Sequence, residues 1–141
     1  MEVQARPSVA TIATLVKTMN YQNKQLVGAM LVAGWDAAGG GQVFGCPIGG
    51  TLSAERWATD GSGSTYLWGF LEAEYREGMT RAEAEELVAR ALALAMARDG
   101  SSGGVIRLVA VDAGGAARRW VTPESHPVMW DELPAPVGMA V

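Results

Sequence analysis

The sequence has a single cysteine, Cys46, among 141 residues. No disulfide can therefore form within the chain, and no cysteine-based zinc site can be assembled from it. A reducing compartment suits such a chain. Histidine is equally scarce: His126 stands alone in a proline-containing stretch, without the convergent partners that catalysis or metal binding needs. Lys17 and Lys24 are the only lysines, and acidic residues outnumber basic ones to give a net charge of −4. The concentrated basic patch that binds phosphate backbones is missing, and Arg118-Arg119 is too short a run to replace it. No stretch of about eighteen apolar residues exists, so no membrane-spanning helix is expected. The opening MEVQARP carries Glu2 and no apolar segment, so no secretory signal is expected there. These absences point to a soluble intracellular domain with neither nucleic acid nor membrane as partner.

What is present suits a packed core. Hydrophobic residues make up 49% of the chain and charged residues only 18%, which argues against disorder. A chain this long fits one domain. Its eighteen glycines cluster at Gly39-Gly40-Gly41, Gly49-Gly50, Gly61/Gly63, Gly103-Gly104 and Gly114-Gly115, punctuating a series of short elements. Pro7 suits the first position of a helix. Val9, Ile12, Ala13, Val16 and Met19 then give that helix one apolar face. Leu26 to Ala33 reads as a buried strand closed by Trp35-Asp36 and the glycines. Gln42 to Ile48 and Thr51 to Ala58 read as two more strands, with Gly49-Gly50 as their hairpin turn.

Ser62 or Ser64 is expected to cap a helix carrying Tyr66, Phe70 and Ala73. Thr80 with Glu83 matches a capping box. The helix that follows has a stripe of Ala84, Leu87, Val88, Ala91, Leu92 and Ala95, and Gly100 suits a left-handed stop after it. Val105 to Val111 and Arg118 to Val121 read as strands joined at Gly114-Gly115. Residues 122–141 form a proline-rich tail. Strands and helices fall in groups, which predicts layered α+β packing. Trp35 and Trp57 are expected in the core, and Trp130 in a surface contact.

Three segments carry chemistry: GSGSTYLWG (Gly61 to Gly69), YREGMT (Tyr75 to Thr80) and RDGSSGG (Arg98 to Gly104). By themselves the serines and Asp99 could simply satisfy loose backbone groups at helix ends, and Asp99 could pair with Arg98 or Arg76. Gly61 and Gly63 lack the G-x-x-G extension of a dinucleotide loop, which disfavours a small-ligand module.

In their order and spacing, these segments resemble the C-terminal part of a proteasome β-subunit of the β1, caspase-like type. That family consists of N-terminal threonine proteases. The resemblance implies an incomplete four-layer αββα sandwich of the N-terminal nucleophile hydrolase type, a single domain over 1–141 lacking its N-terminal strands. It implies a threonine-type endopeptidase role in the 20S core, with family preference after acidic residues. Ser62, Asp99 and Ser102 match the family residues that orient the free α-amino group of the catalytic threonine, which serves as its base. The threonine itself and its lysine partner match nothing here, so the chain is expected to be inactive alone. Gly50-Thr51 reads as an internal hairpin rather than a processing site. No cofactor is required; main-chain carbonyls of Met96, Asp99 and Ser102 would hold a structural magnesium. The implied partners are other α and β subunits in stacked heptameric rings and unfolded polypeptide substrates, in cytoplasm and nucleus. The alternative is a non-catalytic structural or assembly component of the ring.

Overall fold

Ser8, rather than Pro7, starts the first helix. Its hydroxyl accepts the Thr11 N–H at 3.1 Å, which satisfies one of the donors a helix start leaves unpaired. The computed structural model describes residues 6–25 and 27–127. Leu26, Trp130 and the tail beyond Pro127 lie outside the described residues. Helix α1 (Val9–Gln22) is followed by strands β1 (Met30–Asp36), β2 (Gly40–Cys46) and β3 (Ser53–Glu55). A 3₁₀ turn (Ser62–Tyr66), α2 (Trp68–Glu74), α3 (Arg81–Arg98), β4 (Ile106–Asp112), β5 (Gly115–Val121) and a second 3₁₀ turn (Pro123–Ser125) complete the order. The expected α+β class stands, with the strands and helices grouped as anticipated. The described residues gather into two compact units, one within Met1–Asp60 with Val109–Ala117 and one within Gly61–Leu108 with Arg118–Val141.

In the first unit β1, β2 and β3 form an antiparallel sheet in that order. Strand β1 runs later than its apolar pattern predicts, because Asp36 makes the corner. Met30 pairs with Cys46 and Asp36 with Gly40. The Asp36 carboxylate accepts the N–H groups of Ala38 at 3.0 Å and Gly39 at 2.7 Å, the short-side-chain turn chemistry that aspartate favours. Its other oxygen takes the Val9 N–H at 2.9 Å and the Gln42 amide at 2.8 Å. One side chain thus ties the start of α1 to the β1–β2 corner. These bonds, led by the Val9 N–H, hold the Asp36 pKa below the usual aspartate value.

Strand residues alternate between faces. A Cβ on Gly34 would lie 3.0 Å from a Val9 methyl, so the even-numbered residues of β1 face α1. Leu31 and Trp35 point the other way and are exposed. Trp35 is therefore not in the described core, contrary to the expectation, whereas Trp57 is half-buried. The buried stripe of α1 is also rotated from the expected one. Val9, Ala13 and Asn20 are buried, while Ile12 and Met19 are exposed. Asn20 enters because its amide reaches the Gly28 carbonyl at 3.4 Å, a partner hidden from periodicity. Gly49 and Gly50 do form the turn before β3, with φ of +101° and +83°. That left-handed region is open to glycine at little cost.

In the second unit α3 supplies the core. The Thr80 hydroxyl accepts the Glu83 N–H at 3.3 Å and the Glu83 carboxylate accepts the Thr80 N–H at 2.8 Å, the reciprocal box expected. Ala89, Leu92 and Met96 of α3 pack against Ile106, Leu108 and Val121 from the β4–β5 hairpin. Ala91 and Ala95 are buried too, so α3 is packed on more than one side. Ion pairs Arg81–Glu85, Arg90–Glu74 and Arg76–Glu83 decorate its surface, where such pairs contribute little.

Candidate active site

Helix α3 ends through a side chain. Asp99 is its C-cap, with extended backbone (φ −102°, ψ 115°) and its N–H on the Ala95 carbonyl at 2.8 Å. One carboxylate oxygen accepts the Ser101 N–H at 3.1 Å, and the Asp99 carbonyl accepts the Ser102 N–H at 3.1 Å. The chain therefore folds back at once into a tight turn. Gly100 is not left-handed, as the sequence suggested; the left-handed residue of this segment is Gly104, at φ +91°.

The GSGS segment approaches the same place. Gly61, with φ +92°, is the N-cap of the 3₁₀ turn, and no side-chain cap bond is present. Neither Ser62 nor Ser64 caps it, which corrects that expectation. The Ser62 hydroxyl instead donates across 37 residues of sequence to the Asp99 Oδ2 at 2.6 Å. The Ser102 hydroxyl donates to the same oxygen, also at 2.6 Å. Hydroxyl–carboxylate bonds this short are charge-assisted. The structure thus brings together Ser62, Asp99 and Ser102, and adds the Ser101 N–H, which spacing alone did not reveal. Arg76, considered as an Asp99 partner, pairs with Glu83.

The hydrogen bonds decide the electrostatics. Bonds from Ser102, Ser62 and the Ser101 N–H, in that order, lower the Asp99 pKa from its usual value. An aspartate so held is ionised at neutral pH and is a poor proton acceptor, since a general base works best with a pKa near the operating pH. Asp99 is thus unsuited to activating either serine as a nucleophile. Each hydroxyl has its one proton engaged on Asp99, so its remaining lone pairs are free to accept. Two oriented acceptors beside a fixed negative charge suit a donor such as an amine or ammonium group.

For a hard cation, the donors would be main-chain oxygens. The Met96 carbonyl lies in the last turn of α3, past which regular helical donors stop. The Asp99 carbonyl keeps a second lone pair after taking the Ser102 N–H. With the Ser102 carbonyl, these are oxygen ligands of the kind magnesium accepts. Among the described residues, no group of three or more His, Cys, Asp or Glu side chains is placed to hold an ion, and no helix is long and apolar enough to cross a membrane.

The other candidates lie elsewhere in the chain. The His126 N–H closes the Pro123–Ser125 turn on the Pro123 carbonyl at 3.3 Å. Cys46 is buried, and desolvation raises its pKa, so it is an unreactive thiol. Gly50-Thr51 sits in the β2–β3 turn, with Gly50 pressed so close to α1 that a Cβ would lie 2.6 Å from that of Tyr21.

The proteasome subunit family matches residues 1–111. The chain is 44% identical over 133 residues to proteasome subunit beta type-9 of Salmo salar, covering 94% of this chain and 61% of that one. It is 49% identical over 115 residues to a probable proteasome subunit beta type-1 of Schizosaccharomyces pombe, covering 81% and 51%. Against proteasome subunit beta type-6 of Dictyostelium discoideum it is 41% identical over 131 residues, covering 92% and 61%. The chain thus spans 51% to 61% of the length of these relatives.

Proposed function

The chain belongs to the proteasome subunit family, and on that premise we propose that it serves as a β1-type subunit of the 20S proteasome core. The relatives above are named β subunits, and one at 49% identity is named probable type-1. The β1 type is read from the resemblance of the segments ALALAMARDG and GSSGGVIRL. Its partners are α and β subunits of stacked rings in cytoplasm and nucleus, and its substrates are unfolded polypeptides, cleaved after acidic residues.

The convergence of two serine hydroxyls on one Asp99 oxygen, each at 2.6 Å, carries the mechanistic reading. In this chemistry a threonine hydroxyl attacks the scissile carbonyl while the threonine's own α-amino group takes the proton. An amine acting as base must be neutral and correctly turned before it acts, and it must be held as it becomes charged. The Ser62 and Ser102 lone pairs accept from its N–H groups, and the Asp99 charge stabilises the ammonium formed on proton transfer. None of the three is the nucleophile. Alone they hydrolyse nothing, because ionised Asp99 leaves both serines unactivated. A magnesium on the carbonyls of Met96, Asp99 and Ser102 would brace the same turn.

The test uses assemblies purified from cells through a tagged copy of this chain, with a fluorogenic peptide carrying an acidic residue before the cleaved bond. Where assemblies with the unsubstituted chain hydrolyse this peptide, Asp99→Asn should lower the rate on the order of a hundredfold with assembly retained. An unchanged rate would overturn the amine-holding role. Assembly with no acidic-residue hydrolysis, even in the unsubstituted chain, would leave the structural component of the ring instead.

A further inference from the structure

Gly63, next to Ser62 in the GSGS segment, lies against the end of α3. Gly63 is buried. A Cβ there would lie 2.9 Å from the Ala95 Cβ, 2.9 Å from the Ser102 Oγ and 3.3 Å from the Asp99 Oδ2. The first two distances fall about half an ångström short of ordinary contact. Neither neighbour can give way freely. The Ala95 Cβ is fixed to the α3 backbone one turn before the Asp99 cap, and the Ser102 hydroxyl is pinned to the carboxylate. Gly63 does not have positive φ, so an alanine could adopt its backbone. What the site demands of residue 63 is the absence of a side chain.

We propose that Gly63 is a positioning residue for the Ser62–Asp99–Ser102 group: its bare Cα lets the 3₁₀ turn seat against the end of α3, which brings the Ser62 hydroxyl to the oxygen Ser102 already holds. The catalytic relevance of this seat rests on the amine-holding role proposed above; the seat itself does not. A methyl at 63 must push the turn from α3 or displace Ser102. A shift of about half an ångström takes a 2.6 Å bond out of the short charge-assisted range. The effect is thus a change in how Asp99 is held, as well as a loss of packing.

The test is a high-resolution structure of the full chain that reads the Ser62–Asp99 and Ser102–Asp99 side-chain bonds. It compares the unsubstituted protein with Gly63→Ala, with Gly69→Ala and with the double variant Gly63→Ala/Ala95→Gly. Gly69 lies on α2, where an added Cβ meets nothing within 4 Å, so it controls for a glycine-to-alanine change as such. In Gly63→Ala one of the two hydroxyls should leave the Asp99 oxygen, and in Gly69→Ala both should stay in place. Removing the Ala95 methyl should bring the lost bond partway back. A folded Gly63→Ala that keeps both bonds would overturn the proposal. Should Gly63→Ala not fold, a folded double variant with both bonds supports the proposal, and an equally unfolded one overturns it. If a bond is lost but acidic-peptide hydrolysis is absent from all assemblies, the seat stands and the catalytic role falls.

Discussion

Truncating Ile106 to alanine tests the packing that holds the candidate site in place. Ile106 opens β4 four residues after Ser102 and is 1% exposed, enclosed by Ala89, Leu92 and Met96 of α3 with Leu108 and Val121. Ile106→Ala removes three carbons. At about 0.8 kcal/mol per buried methylene the lost transfer term is about 2.4 kcal/mol. The hole left against α3 refills only partly, which brings the total to about 3–4 kcal/mol, inside the usual range of about 2–5. That corresponds to roughly two to three decades in the unfolding equilibrium. Urea unfolding followed by tryptophan fluorescence should show a lower midpoint at unchanged slope. Val109 in the same strand points to the opposite face and is 55% exposed, so Val109→Ala should stay within about 1 kcal/mol. If Ile106→Ala cost under about 1 kcal/mol, or if Val109→Ala cost as much, the face assigned to β4 would be wrong.

Other perturbations give sharp outcomes. Gly50→Ala should destabilise more than Gly49→Ala. Both have positive φ, worth about 1–2 kcal/mol for a side chain, but only at Gly50 does a Cβ also meet the Tyr21 Cβ; equal midpoints would refute the close approach. Asp36 is held below the usual aspartate value of 3.8. Its contribution is therefore complete above that value and lost as pH falls through the lower folded one. Asp36→Asn should flatten the acid limb of stability against pH, and an unchanged acid limb would show that the four bonds do not matter. Buried Cys46 should react with a thiol reagent only as fast as the chain opens, whereas rapid stoichiometric labelling of the native chain would place it at the surface.

The α+β grouping and the order of elements were readable because glycines and the Thr80–Glu83 box mark ends that depend on local chemistry alone. The three residues at Asp99 were readable only as a resemblance. Ser62 and Asp99 are 37 positions apart, and nothing in either segment states that the two meet. What stayed hidden depended on tertiary partners. Asp36 looked like a strand breaker because its bonds to Val9 and Gln42 are non-local. Trp35 looked like core because β1 is apolar on both faces, a pattern typical of strands buried on both sides, and periodicity does not say which face α1 takes. Asn20 broke the expected α1 stripe because a polar residue is accepted inside once its amide finds the Gly28 carbonyl. Gly63 looked like any turn glycine; only the nearness of Ala95 and Ser102 shows why a side chain is excluded.

Native mass spectrometry of particles purified from cells through a tagged copy of this chain would test the central claim most directly. The account predicts that the chain is recovered in ring assemblies together with α and β subunits of the proteasome core. Recovery of the chain alone, or only with proteins outside that core, would contradict it.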